Sequence, residues 1–184
     1  MTWTEPDRVV VELAGSLPPG RVLDIGAGDG HDSLWLAERG WSATAVDLSR
    51  HSVRKLRAIA KERELDVTAV QVDAADLGYQ AEFDLALVCY IHVPADVRAK
   101  ICAGAIRALR PGGLLLWRSF EAGMPGDPGF DRALLPARED LLSDLGDAVS
   151  IERAGTGDEY FPYMEQDMFL LTVIARRNGS QRHV

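Results

Sequence analysis

Only two cysteines occur in 184 residues, Cys89 and Cys102, too few for a disulfide framework, so a reduced compartment is expected. Basic residues are also in deficit, 20 Lys and Arg against 28 Asp and Glu, for a net charge of −8. Nucleic-acid affinity leans on clustered cations, so a phosphate backbone is disfavoured as a partner. The short basic run Arg176-Arg177…Arg182 does not reverse this and reads as a frayed terminus. No apolar run approaches the roughly 18 residues of a membrane span. Met1-Thr2-Trp3-Thr4-Glu5 lacks the charged and apolar regions of a signal peptide, so a cytoplasmic chain without membrane contact is expected. No His, Cys and carboxylate cluster has zinc-ligand spacing, and no metal is expected.

What is present is a chain that is 47% apolar, enough for one well-filled core and short for two. Residues 1–175 read as a single domain and 176–184 as a flexible tail. The first helix is expected at Pro6–Ala14, stopped by Gly15, and Pro18-Pro19-Gly20 turns into the first strand. Helical patterns follow at Ser33–Arg39 (capped by Gly40), at Val53–Arg63 with Ser49 as N-cap, and at Asp96–Leu109. Strand patterns lie at Val22–Asp24, Ala43–Asp47, Val67–Val72, Phe83–Val88 and Leu114–Phe120. This alternation predicts a doubly wound α/β fold with a mostly parallel sheet and right-handed crossovers. Residues 148–153 and 168–175 read as a terminal antiparallel hairpin around a Gly155–Asp167 loop carrying Tyr160, Phe161, Tyr163 and Met164. The segment Glu121–Pro136, rich in proline and glycine, reads as a long loop of the kind that forms lids.

The informative segment is Val22-Leu23-Asp24-Ile25-Gly26-Ala27-Gly28-Asp29-Gly30-His31-Asp32-Ser33. A strand that turns on glycines into a helix offers bare backbone and a positive helix N-terminus to a ligand. The spacing is Gly-x-Gly-x-Gly; in the dinucleotide fingerprint the third glycine would fall on His31. That residue, and the lack of a second domain, argue against a nicotinamide-dependent oxidoreductase. Asp47 closes the second strand 19 residues after Gly28, close to the distance at which a carboxylate meets ribose hydroxyls in nucleotide-binding folds. Asp73 follows the third strand. Acidic residues at three successive strand ends suit a cationic ligand with an adenosine half and no phosphate, and S-adenosylmethionine has that chemistry.

On these residues the chain resembles the class I S-adenosylmethionine-dependent methyltransferases. Asp24–Gly30 looks like their first motif, Asp47 their second-strand acid and Asp73-Ala74 their adenine-contacting pair. Phe83–Val88 resembles their fourth strand, and Leu109-Arg110-Pro111-Gly112-Gly113 the turn before their fifth. A closer likeness is to the small tellurite-resistance-type group. It rests on Trp3-Thr4-Glu5-Pro6, on Ser33–Trp41 and on Tyr90-Ile91-His92-Val93-Pro94. The chain departs from that group at Ala27, at His31-Asp32 and at Arg118-Ser119-Phe120, where the group often has a histidine. The resemblance implies a seven-stranded sheet and S-adenosyl-L-methionine as cofactor. It places contacts at Asp24, Gly26, Ala27, Gly28, Gly30, Asp47, Leu48, Asp73, Ala74 and Cys89.

The expected activity is methyl transfer to a small-molecule acceptor by a monomer or homodimer. Alignment and desolvation supply much of such a rate, and a base is needed only when the acceptor keeps its proton. His92, after the fourth strand, is the candidate base; packing against the cofactor is its alternative role. Arg118 and Glu121 are read as a surface ion pair or as acceptor-orienting residues. The amino-directed nucleic-acid motif is absent at Cys89-Tyr90. The competing reading is a non-catalytic S-adenosylmethionine-binding partner or regulatory module.

Overall fold

The computed structural model describes residues 5–123, 131–161 and 166–179, without the side chains of 160, 161 and 166. Its elements are α1 (Arg8–Gly15), β1 (Arg21–Ile25), α2 (His31–Ala37), β2 (Ser42–Asp47), α3 (Arg50–Glu62) and β3 (Val67–Gln71). They continue with β4 (Phe83–Cys89), α4 (Ala95–Ala108), β5 (Leu109–Phe120), α5 (Arg138–Leu145), β6 (Val149–Phe161) and β7 (Gln166–Arg177). The seven strands form one sheet in the order β3-β2-β1-β4-β5-β7-β6. The first five pair in parallel, and β7 joins β5 and β6 antiparallel.

Strand alternation divides the core. Leu23, Ile25, Ala86, Val88, Leu115 and Trp117 face α4 and α5, meeting Ile101, Ala105, Leu141 and Leu145. Val22, Leu85, Leu87, Leu114 and Leu116 face α1 and α2, meeting Val9, Val10 and Leu36. The inner parallel strands are covered on both faces, and this is why they read as continuous apolar runs. The order reverses beside β1, so β1 and β4 diverge toward a crevice at their carboxyl ends, where open α/β sheets bind ligands.

Several bounds differ from the sequence expectation. Helix α1 begins at Arg8, because Asp7 caps it by accepting from the Val9 and Val10 N–H groups, and Gly15 lies inside its last turn. Helix α2 begins at His31, directly after left-handed Gly30. The fifth strand starts at Leu109, although its ladder against β4 is broken by a register shift and resumes at Leu114. The hairpin strands absorb most of the expected loop: Gly155–Phe161 belongs to β6, paired residue by residue with β7. Strand β7 runs through Arg176 and Arg177, which therefore do not fray; residues 180–184 lie outside the described residues. So do Tyr163, Met164 and the Pro125–Pro128 part of the expected lid. Helix α5 occupies a stretch for which the sequence carried no assignment.

Candidate active site

Asp24, at the end of β1, is buried, and its Oδ2 accepts the Ser33 hydroxyl at 2.6 Å. The turn that follows is pinned to β2: Gly26 and Ala27 donate their N–H groups to the Val46 carbonyl at 2.8 and 3.0 Å. Gly28 has φ +54 and open space where a Cβ would stand, so the backbone there is bare toward the crevice. At Gly26 (φ +72) a Cβ would come within 2.6 Å of Ile91 Cδ1, so the turn and the segment after β4 touch across the crevice.

The Asp47 carboxylate is oriented by two backbone donors. Oδ2 accepts the Gly28 N–H at 2.8 Å and Oδ1 the Ser49 N–H at 2.7 Å. Beside it Leu48 is 68% exposed, an apolar side chain left at the rim, with its carbonyl accepting from Gln71 Nε2. Asp73 is exposed and accepts the Ala75 N–H at 2.9 Å, capping a single helical turn over Ala74–Asp76. The expected residues of the first three strand ends thus share one edge. Bare backbone at Gly28, a carboxylate at Asp47 and an uncovered apolar side chain at Leu48 fit an adenosine: ribose diol on the acid, base on the leucine.

The fourth strand end carries a network that the sequence did not reveal. Tyr90 has φ 58, a left-handed conformation that costs a non-glycine residue about 1–2 kcal/mol. Its N–H donates to the Arg118 carbonyl at 2.7 Å, and its hydroxyl donates to Asp7 Oδ2 at 2.6 Å. Arg118, expected in a surface ion pair, is instead buried. Its guanidinium donates to Asp7 Oδ2 (3.3 Å), Thr172 Oγ1 (2.5 Å), Glu159 Oε2 (3.0 Å) and the Tyr90 oxygen (3.4 Å). Packing decides this: at Arg118 the β5 side chain points to the α1 face, where the Asp7 cap already stands. Glu121 has a local role and accepts the Gly123 N–H at 2.7 Å.

These groups sit in low dielectric with a surplus of acid. Burial, against the Ser33 hydrogen bonds, raises the Asp24 pKa, and burial with the Asp24 charge raises that of Asp32. Asp32 Oδ1 accepts the Asp7 N–H at 2.7 Å. Burial, with Asp7 and Arg118 opposing one another, holds Tyr90 protonated, and burial pushes the Cys89 thiol up, so neither is an anion near neutrality. His92 is half-buried, its ring 5.5 Å from that of Phe120, and burial lowers its pKa, leaving a neutral imidazole at pH 7. Phe120 also stands 5.5 Å from the Tyr90 ring. Among the described residues no three His, Cys, Asp or Glu side chains are grouped to hold a metal ion.

Two hollows lie elsewhere on the described surface. A groove of about 590 Å³, lined by Pro18, Arg21, Trp41, Asp84 and Arg110, lies at the amino ends of the strands and includes none of the expected site residues. A smaller cavity of about 260 Å³ lies against the Arg118 network, between Arg8 of α1 and the hairpin residues Gly155, Gly157, Glu159 and Thr172.

A methyltransferase domain model matches residues 22–113, the stretch from the first strand through the turn before the fifth. The chain belongs to the methyltransferase domain family. It is an S-adenosylmethionine-dependent methyltransferase domain with the seven-stranded sheet of that fold. The methyltransferase domain is 36% identical over 104 residues to a ubiquinone biosynthesis O-methyltransferase of Idiomarina loihiensis, covering 54% of this chain and 42% of that protein. It is 31% identical over 115 residues to a 2-heptyl-1-hydroxyquinolin-4(1H)-one methyltransferase of Mycobacteroides abscessus, covering 59% and 50%. Among solved structures, TehB from Haemophilus influenzae superposes with a TM-score of 0.80 at 19% identity, covering 92% of this chain and 62% of that one. That likeness is one of fold. The chain spans 37% to 49% of the length of the first curated relatives it matches. No helix among the described residues is long and apolar enough to cross a membrane.

Proposed function

We propose that this methyltransferase domain transfers a methyl group from S-adenosylmethionine to a small-molecule acceptor in the cytoplasm. The observation that carries the reading is the Gly28–Asp47 contact, which joins the bare turn to a carboxylate already aimed by two N–H groups. Asp47 would hold the ribose diol, Leu48 one face of the adenine, and Asp73 with Ala74 its edge. Gly26, Ala27, Gly28 and Gly30 would supply the backbone against which the amino-acid end lies, with Asp24 on the ammonium side. Cys89 would form an apolar wall. When bound, the cofactor supplies an electrophilic methyl group on a sulfonium.

The chain's own contribution is alignment and the exclusion of water. Tyr90, Ile91 and His92 form the wall beyond β4, and Phe120 closes it from β5. A neutral His92 would orient an acceptor or pack against it. A small-molecule acceptor is supported by the relatives named for ubiquinone biosynthesis and for methylation of 2-heptyl-1-hydroxyquinolin-4(1H)-one. The net charge of −8 argues against a nucleic acid. Incubation with S-adenosylmethionine and separate phenol, thiol, amine and chalcogenide acceptors tests the reading. Acceptor-dependent S-adenosylhomocysteine formation is expected with one class. Cofactor binding with no turnover on any class would favour the non-catalytic module.

A further inference from the structure

We infer that Tyr90 is a positioning residue: tethered by Asp7 and Arg118, its left-handed backbone sets the 90–93 turn, and His92 with it, over the glycine turn. This rests on the reading of 90–93 as the acceptor-side wall. Five observations carry it. Tyr90 is one of only three non-glycine residues with positive φ among the described residues, and it falls where β4 enters the crevice. Strain of that kind persists only where surrounding contacts hold it. Here the holding contacts are identifiable: the hydroxyl on Asp7 Oδ2 at 2.6 Å, the N–H on the Arg118 carbonyl at 2.7 Å and the ring against Phe120. The next residue, Ile91, lies so close to Gly26 that a Cβ there would meet Cδ1 at 2.6 Å.

The tether reaches far along the chain. Asp7 caps α1 through Oδ1 and holds Tyr90 and Arg118 through Oδ2, so one carboxylate joins the first helix to the ends of β4 and β5. Thr172 and Glu159 extend the same guanidinium to β7 and β6. Loss of the phenol oxygen removes the link without emptying the ring's place. The 90–93 turn then relaxes away from the left-handed geometry, carrying the His92 imidazole away from Phe120.

Imidazole NMR of His92 in the whole chain, without cofactor, tests this for Tyr90→Phe and Tyr90→Gly, beside the Tm of each. In the parent, the His92 signals carry the ring-current shift of Phe120 and titrate below the ordinary value of about 6.5. In Tyr90→Phe the ring-current shift shrinks and the titration moves up toward 6.5, while a cooperative melt persists. Tyr90→Gly adopts positive φ without strain, so it keeps the turn without the tether and its His92 titration stays nearer the parent's than that of Tyr90→Phe. Parent-like His92 signals in a folded Tyr90→Phe, or a folded Tyr90→Gly changed as much as Tyr90→Phe, would overturn the proposal, whatever the Tm. S-adenosylhomocysteine binding, measured separately, reports on the cofactor reading, so failure of one is distinct from failure of the other.

Discussion

Asp47 Oδ2 accepts the backbone N–H of Gly28 at 2.8 Å, across 19 residues of chain and from the neighbouring strand. The spacing visible in the sequence is therefore a contact, and it fixes the acid against the turn before any ligand arrives. Because Ser49 N–H occupies Oδ1, each oxygen keeps one lone pair for a ribose hydroxyl.

Asp47→Ala removes both, and should weaken S-adenosylhomocysteine binding by roughly 1.5–3 kcal/mol, the scale of charge-assisted hydrogen bonds. Asp47→Asn should fall close to it, since its amide NH₂ must face one of two N–H donors. Calorimetric titration of both variants checks this; parent-like affinity in both would remove Asp47 from the ribose site.

Leu48 offers a different test, because it is 68% exposed and contributes little to the fold. Leu48→Ser should leave Tm nearly unchanged and weaken S-adenosylhomocysteine binding by about 1–2 kcal/mol, part of the burial energy of a leucine. A loss of Tm with intact binding would place Leu48 in the fold and not against the adenine.

The buried acids predict a pH dependence. Asp32 is raised to about 8 and Asp24 to about 6 from 3.8, so between 3.8 and about 8 the folded chain binds more protons than the unfolded one. Stability then falls as pH rises through that window. Asp32→Asn keeps an acceptor for the Asp7 N–H and cannot ionise. It should raise Tm at pH 8 by about 2–8 °C, equivalent to roughly 1–2 kcal/mol, and the gain should shrink as pH falls and vanish near pH 4. A gain that is equal at both pH values would assign the effect to packing.

For His92 the structure favours packing and orientation. Its imidazole is neutral near pH 7 because burial disfavours the cation, so its stabilising effect is present above pH 6.5 and lost as pH falls. His92→Ala should reduce turnover within about tenfold, against the 10²–10⁴ expected for removal of a general base. A loss in the larger range with a lost inflection in the pH profile would establish a base and a protonated acceptor.

The grouping of Asp24, the glycines, Asp47 and Asp73 at one sheet edge was readable in the sequence, and the network behind Tyr90 was not. Asp24, the glycines, Asp47 and Asp73 lie at the ends of short buried strands, and the apolar runs before them fix their register. Asp7, Tyr90 and Arg118 meet across 83 and 111 residues, and no local pattern carries such a meeting. Asp7 fell unremarked inside the expected helix Pro6–Ala14, and Arg118 read as half of a surface ion pair or as an acceptor-orienting residue. The hairpin was read too short for a related reason. Gly155, Gly157, Asp158 and Glu159 have little strand character, and their conformation comes from pairing with β7. Helix α5 went unassigned because it is eight residues long and buries only Leu141 and Leu145.

The central claim is that the Gly26–Gly30 turn and Asp47 form an S-adenosylmethionine site and not a dinucleotide site. Calorimetric titration of the whole chain with S-adenosylhomocysteine and, separately, with NAD tests it directly. The account predicts saturable binding of S-adenosylhomocysteine, lost or strongly weakened in Asp47→Ala, and no heat of binding with NAD. Binding of NAD with S-adenosylhomocysteine ignored would contradict it.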